Sequence, residues 1–223
     1  MIITIDGPAA AGKGTLSEKL AEKYGLTYFD TGMTYRAVGL DLVLQGFNPE
    51  DVEKAVQVAK NLTFPKIIEL SKHPDFRSNI GGDAASKVSA IPLVRAALLK
   101  MQQDFALNPQ FADGSKANGA VYDGRDTGTV VCPNADVKIF ITASPEVRAL
   151  RRFKEYQQKG LAITYEDVLA QTKERDQRDA SRTTAPMKPA DDATIIDTSD
   201  MSIEEVFNKV CVLIEQHKKT LEK

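Results

Sequence analysis

An α/β fold with a parallel sheet covered on both faces follows from three features of the sequence. Short apolar runs alternate with longer segments whose apolar residues recur every three or four positions. The first run, Met1-Ile2-Ile3-Thr4-Ile5, leads into a glycine-rich turn, Gly7-Pro8-Ala9-Ala10-Ala11-Gly12-Lys13-Gly14-Thr15, and a helical pattern follows. Two later runs end in polar, glycine-punctuated clusters, Asp30 to Arg36 and Asp123 to Thr129. Parallel strands joined by right-handed crossovers present such ends along one edge, where ligands bind in this class of fold.

A chain of 223 residues can bury one large core, so a single domain is expected over 1–223. Its 29 Lys and Arg against 31 Asp and Glu give no general attraction to nucleic acid or to an anionic membrane, which favours a small substrate over a polymer. Cys132 and Cys211 lie far apart without metal-ligand spacing, which suits a reducing cytosol and two packing residues. The apolar start is too short for a signal peptide, and no run of about 18 apolar residues occurs. These observations lead us to expect a soluble, cytoplasmic protein. With no exposed apolar stripe demanding a partner, a monomer is expected.

After the glycine-rich turn, Thr15 to Tyr24 places Leu16, Leu20 and Ala21 at helical spacing and stops at Gly25. A strand over Leu26 to Phe29 delivers the Asp30 to Arg36 cluster, and a helix runs from Ala37 to Gln45. Asn48 reads as the cap of the next helix, with Pro49 in its first turn. Leu62 to Asp83 reads as an irregular excursion. Ala84 to Phe105 is helical, interrupted near Pro92, and carries Arg95. Pro109 to Gly119 is a polar loop before a third strand at Val121-Tyr122. Val137 to Ile141 is the fourth strand, and Ser144-Pro145 opens a helix bearing Arg148, Arg151 and Arg152. Thr164 to Asp167 looks like a capping box starting a helix to about Arg182, on which Arg175, Asp179 and Arg182 share one face. Thr194 to Ile196 is the last strand, and Ser202 to Glu205 caps a final helix whose Val206, Val210 and Leu213 face the core.

The chemistry begins at the glycine-rich turn. Two glycines at this spacing let backbone N–H groups turn inward around a polyphosphate, the following helix N-terminus adds partial positive charge, and Lys13 can reach the β- and γ-phosphates. A hydroxyl assigned to Mg²⁺ usually follows the lysine directly; here Gly14 intervenes and Thr15 comes one position later. Arg36, Arg125, Arg151, Arg175 and Arg182 each fall in or beside a segment reaching the ligand edge, and guanidinium matches phosphate oxygens bidentately. Asp123, at the exit of an apolar strand, is a candidate to hold Mg²⁺ through water, with a structural bond to Arg125 as the alternative; Asp126 competes for such roles. Three readings fit the loop: a nucleotide kinase, another small-molecule kinase, or a binding module without transfer. Guanidiniums on three separate segments favour transfer, because a module that only binds has no use for an acceptor site.

Gly7 to Thr15, Asp30-Thr31-Gly32 to Arg36, Asp123-Gly124-Arg125-Asp126 to Val131, and Lys173-Glu174-Arg175-Asp176-Gln177-Arg178-Asp179 to Arg182 resemble, in order, the signatures of the bacterial cytidylate kinases. The resemblance spans almost the whole chain. It implies a nucleoside monophosphate kinase fold with a central five-stranded parallel sheet, an acceptor-binding region over about 31–108 and a lid over about 148–165. It implies transfer of the ATP γ-phosphate to CMP or dCMP with Mg²⁺. Lys13 and the loop amides would hold ATP phosphates, and Arg151 would belong to the arm closing over ATP. Arg36, Arg125 and Arg182 would grip the acceptor phosphate, with Thr31 touching the acceptor. Ser86 and Arg95 align with the residues that read cytosine, and Asp179 with Arg175 contacts the sugar or the adjacent phosphate region. Three departures stand out: Met33 in place of alanine, a Leu62 to Asp83 stretch shorter than the family's β-containing insertion, and an extra segment at Gly114 to Gly119.

Overall fold

The computed structural model describes residues 1–221. Five strands, β1 (Ile2–Asp6), β2 (Thr27–Asp30), β3 (Ala120–Gly124), β4 (Val137–Thr142) and β5 (Thr194–Asp197), form one parallel sheet in the order β2-β3-β1-β4-β5. The chain runs out from β1 to β2, returns to β3, then crosses to β4 and β5 on the other side. The loop after β1 therefore stands at the point where the winding reverses, which opens a crevice beyond the strand ends. Ile5 is in register with Asp123 on one side and Ile139 on the other, and Asp30 with Asp123. The two aspartates thus leave neighbouring strands side by side.

One face of the sheet is covered by α1 (Lys13–Tyr24) and α9 (Ile203–Leu221), which pack Leu16, Leu20, Val206, Val210 and Ile214 onto Ile3, Ile5, Ile139 and Ile141. Leu213 is partly buried against the same cluster. Gly25 ends α1 in the left-handed conformation, at φ 62°. Ser202 and Glu205 bond reciprocally at the start of α9. On the opposite face Phe29, Tyr122, Val131 and Cys132 form a smaller cluster, against which Leu99 and Phe105 pack.

Residues 32–107 build a helical body with its own core. It comprises α2 (Gly32–Leu44), α3 (Val52–Lys60), α4 (Phe64–Ser71), α5 (Asn79–Ser89) and α6 (Pro92–Leu107), packed around Val38, Leu40, Phe76, Val88 and Leu98. The stretch expected to be irregular is ordered here. Thr63 caps α4 with Pro65 in its first turn, Pro74–Arg77 makes one 3-10 turn, and Ser78 caps α5. Gly81 reads as a breaker but serves close packing: a Cβ there would lie 2.4 Å from the Asp75 carbonyl oxygen. Two other boundaries move. The second helix starts at Gly32 rather than Ala37, because Asp30 Oδ1 accepts from the Gly32 N–H and the Thr31 hydroxyl and N–H are both held by the Asp123 carbonyl. Asp51, not Asn48, caps α3, since Asn48 to Asp51 forms a separate turn.

The remaining helices, α7 (Pro145–Gln158) and α8 (Tyr165–Ala180), make an antiparallel hairpin around Ala149, Tyr156 and Val168. Ser144 caps α7, Thr164 caps α8, and α8 ends two residues short of Arg182. Among the described residues no helix is long and apolar enough to cross a membrane.

Candidate active site

Beyond the strand ends lies a cavity of about 540 Å³, floored by the glycine-rich loop and walled by the helical body and α8. The loop takes a backbone path that few residues tolerate, with φ of 144° at Gly7, 59° at Ala10 and 94° at Gly12. A Cβ at Gly7 would come 1.9 Å from the Ile141 carbonyl oxygen, so only glycine fits between β1 and β4. Ala9, Ala10, Gly12, Lys13, Gly14 and Thr15 line the cavity. Gly7, Pro8 and Ala11 stand behind them: Pro8 offers its carbonyl to Lys13 Nζ at 3.2 Å, and Ala11 borders an apolar cleft with Arg151, Met201 and Ile203.

Lys13 is buried, with Nζ 3.4 Å from Asp123 Oδ1. Desolvation lowers its pKa, while Asp123 and Asp30 oppose the shift. Asp123 therefore pairs with Lys13 rather than with Arg125, and its other oxygen accepts from the Tyr28 hydroxyl at 3.3 Å. Asp30 is pushed above the usual carboxylate range by burial and then by Asp123. Behind them, Asp6 accepts three hydrogen bonds of 2.8 Å, from Thr127 N–H, Thr127 Oγ1 and Gly128 N–H. Burial raises Asp6 to about 6, and those bonds restrain the rise. This carboxylate fixes the turn that presents Arg125 and Asp126.

The opposite wall is cationic. Asp179, 2 % exposed, accepts from Arg125 Nε at 2.9 Å and from Arg182. Burial favours its neutral acid, but Arg125, Arg182 and Arg175 outweigh that and hold its pKa below the usual range. The Nε atoms of Arg175, Arg182 and Arg95 are buried without partners. Burial, then repulsion by Arg125, pushes Arg175 down to about 9. Arg36 donates to the Phe76 carbonyl oxygen at 2.9 Å and is lowered chiefly by burial. Arg95 bonds Asp126 and the Ser89 carbonyl while stacking its guanidinium 5.2 Å from the Tyr35 ring centre. Ser86, on α5, accepts from Arg178 at 3.0 Å.

The cavity thus gathers Thr31, Arg36, Ser86, Arg95, Arg125 and Asp126 with Arg175, Asp179, Arg182 and Arg151, from six separate stretches of chain. Sequence reading passed over Asp6, Tyr28 and Arg77. Asp6 carried a signal, a carboxylate at the exit of an apolar strand directly before Gly7. Tyr28 read as an ordinary strand aromatic, and Arg77 stands in the stretch read as irregular, where no periodicity points it anywhere. No cluster of three or more His, Cys, Asp or Glu able to hold a metal occurs among the described residues.

A backbone cradle for phosphates facing a wall of guanidiniums is a site for moving a phosphoryl group between two anions. The sequence model of one kinase family, described as cytidylate kinase, matches residues 3–216. The chain belongs to the cytidylate kinase family. Cytidylate kinase of Paramagnetospirillum magneticum is 52% identical over 206 residues, covering 92% of this chain and 93% of that protein. The cytidylate kinase of Rhodospirillum rubrum is 47% identical over 221 residues, covering 99% and 100%. A solved but uncharacterised protein of Eubacterium ventriosum has a TM-score of 0.53 at 12% identity, covering 96% of this chain and 98% of its own, which is a likeness of fold alone. Membership in the cytidylate kinase family makes the protein a nucleotide-binding phosphotransferase.

Proposed function

We propose that the protein transfers the γ-phosphoryl group of ATP to CMP or dCMP, giving ADP and CDP or dCDP, with the donor on the loop and the acceptor against the arginine wall. The observation that carries this reading is the single cavity with Lys13 and the loop on one side and Arg36, Arg125, Arg175 and Arg182 on the other. Transfer through a loose transition state asks for alignment and for positive charge around the equatorial oxygens, not for a covalent intermediate.

In this reading the N–H groups from Ala9 to Thr15 and the N-terminus of α1 bind the donor phosphates, and Lys13 moves with the charge that shifts during transfer. The apolar cleft of Ala11, Arg151, Met201 and Ile203 adjoins the loop and would take the adenine. Arg36, Arg125 and Arg182 would hold the acceptor phosphate, with Thr31 beside it. Arg95, a donor only, would face the cytosine ring nitrogen and carbonyl; Ser86 and Asp126 would accept from its amine. Arg175 and Asp179 would meet the sugar and adjacent phosphate.

Mg²⁺ fits the residues present. Asp30 and Asp123 repel each other at the cavity floor, and one or two carboxylates with substrate phosphates are the usual holders of this ion, which keeps several waters. Asp123 would hold it through water, and the exposed Thr15 hydroxyl lies within the same cavity. When bound, the ion would neutralise charge on the donor phosphates.

The segment over 148–165 would close as a lid, excluding water that would otherwise hydrolyse ATP. The reading includes a cytoplasmic monomer acting on small nucleotides, with no nucleic acid polymer or membrane as partner; the near balance of charge and two buried free thiols support it. A coupled assay with ATP and each of CMP, dCMP, UMP and AMP tests the whole. Turnover should be fastest with a cytidine monophosphate, and equal or faster turnover of AMP would overturn the proposal.

A further inference from the structure

Arg148 differs from every other arginine near the cavity. Its side chain is 3% exposed and four of its five N–H donors are satisfied by three separate segments. Nε donates to the Ala143 carbonyl at the β4–α7 corner at 2.8 Å. Nη1 donates to the Ala9 carbonyl in the glycine-rich loop at 3.2 Å and to Asp176 Oδ1 at 3.0 Å, and Nη2 donates to Asp176 Oδ2. Neither Arg148 nor Asp176 lines the cavity. A guanidinium so occupied, with one N–H left over and outside the cavity lining, is not placed to grip a phosphate. What it holds is the loop itself.

Ala9 directly precedes Ala10, whose φ of 59° is a conformation that a residue with a Cβ adopts only under constraint. Turning the Ala9 carbonyl outward onto Arg148 leaves the N–H groups that follow free to face the cavity. The other end of the clamp sits on α8, one residue from Arg175 and three from Asp179. We infer that Arg148 is a positioning residue, clamped by Asp176, that fixes the glycine-rich loop in its donor-binding shape and makes donor affinity depend on where α8 sits. This rests on the loop being the donor-phosphate site.

Asp176 gives the discriminating experiment. It is partly buried, on the helix that also carries Arg175 and Asp179, and among the described residues its hydrogen-bonded link to the loop runs through Arg148. In steady-state kinetics Asp176→Asn should raise the KM for ATP about tenfold and leave the KM for CMP within about threefold. Arg148→Lys should do the same, because one ammonium cannot span the Ala143 carbonyl, the Ala9 carbonyl and Asp176 together. The double variant should be no worse than either single one, since the two residues act as one unit. Isothermal titration of ADP into each folded variant checks the change as binding rather than turnover. A lowered melting temperature with both KM values unchanged would mean a merely structural ion pair and overturn the inference, as would a rise confined to CMP. Failure of the underlying site assignment reads differently: Lys13→Ala would then still turn over ATP.

Discussion

The glycine-rich loop and the arginine wall, proposed as donor and acceptor sites, face each other across one cavity, yet they are built on opposite plans. The loop is a contiguous run that, as proposed, binds through backbone N–H groups, so the sequence needs little more than glycines at Gly7 and Gly12, where φ is positive, and a lysine at the right spacing. The wall is made of side chains brought from β2–α2, α5, α6, the turn after β3 and α8, and Thr31, Arg95, Arg125 and Arg182 are held by partners distant in sequence. A contiguous backbone site is robust to the identity of most of its residues. A convergent side-chain site fails when any one support moves.

Lys13→Ala gives the largest effect. It should lower kcat by about 10²–10³ while leaving the melting temperature near the parent's, because the lysine stabilises charge that changes during transfer. Near-normal turnover of the purified, folded variant would show that the loop is not the donor site.

Arg95→Met tests the other side. The KM for CMP should rise roughly tenfold to a hundredfold, the KM for ATP should change little, and the gap between CMP and UMP should narrow. The same change strands buried Asp126, which costs on the order of 3–5 kcal/mol where a buried pair is broken, so thermal unfolding must be measured alongside. A stability loss with an unchanged CMP to UMP preference would leave Arg95 as a strut and move base recognition elsewhere.

How much of each side could be read in advance follows from these plans. The sheet, the loop, and the caps at Ser144, Thr164 and Ser202 were legible, because each is a local pattern with a local cause. The arginines were legible as a set through their strand-exit positions and the family signatures. Their partners were not. Nothing local says that Arg95 pairs with Asp126, thirty-one residues on, or that Arg182 passes the end of α8 and folds back to Asp179. The helical body was misread over 62–83 for a related reason. Its helices are short, and Gly81 and Gly82, which look like interruptions, lie inside α5, Gly81 at a site of close packing.

Asp6 joins the two sides, and its titration offers a smaller effect. A carboxyl whose folded pKa, about 6, stands above its unfolded value of 3.8 binds its proton more tightly in the native state. The stability it contributes is fully present below about pH 4 and is lost as pH rises through 6, by up to about 3 kcal/mol. Denaturant midpoints across pH 4–7 should show that fall, and Asp6→Asn should remove its slope even though the amide cannot serve all three donors. An identical slope in the variant would assign the effect to other groups.

The smallest expected change is in dynamics. Amide exchange over 148–165 should slow when ADP and CMP are bound together, with the part beyond Arg148 changing most because Arg148 itself is anchored. Exchange that ignores both ligands would make α7 and α8 a static hairpin.

The unpartnered nitrogens of Arg175 and Arg182 bear on the protein when it is empty. Arg125, Arg175 and Arg182 crowd around one buried carboxylate, Asp179, and Arg175 is held down to about 9 by burial and by its neighbours. The wall thus carries more positive charge than its own carboxylate offsets, and in the proposed function the acceptor's phosphate supplies the missing counter-ion. Any small oxyanion of suitable shape in the solvent, inorganic phosphate or sulfate included, should firm up the fold and compete with the acceptor in the same concentration range. The heat resistance of a purified sample would then report the anions in its buffer as much as the strength of its core.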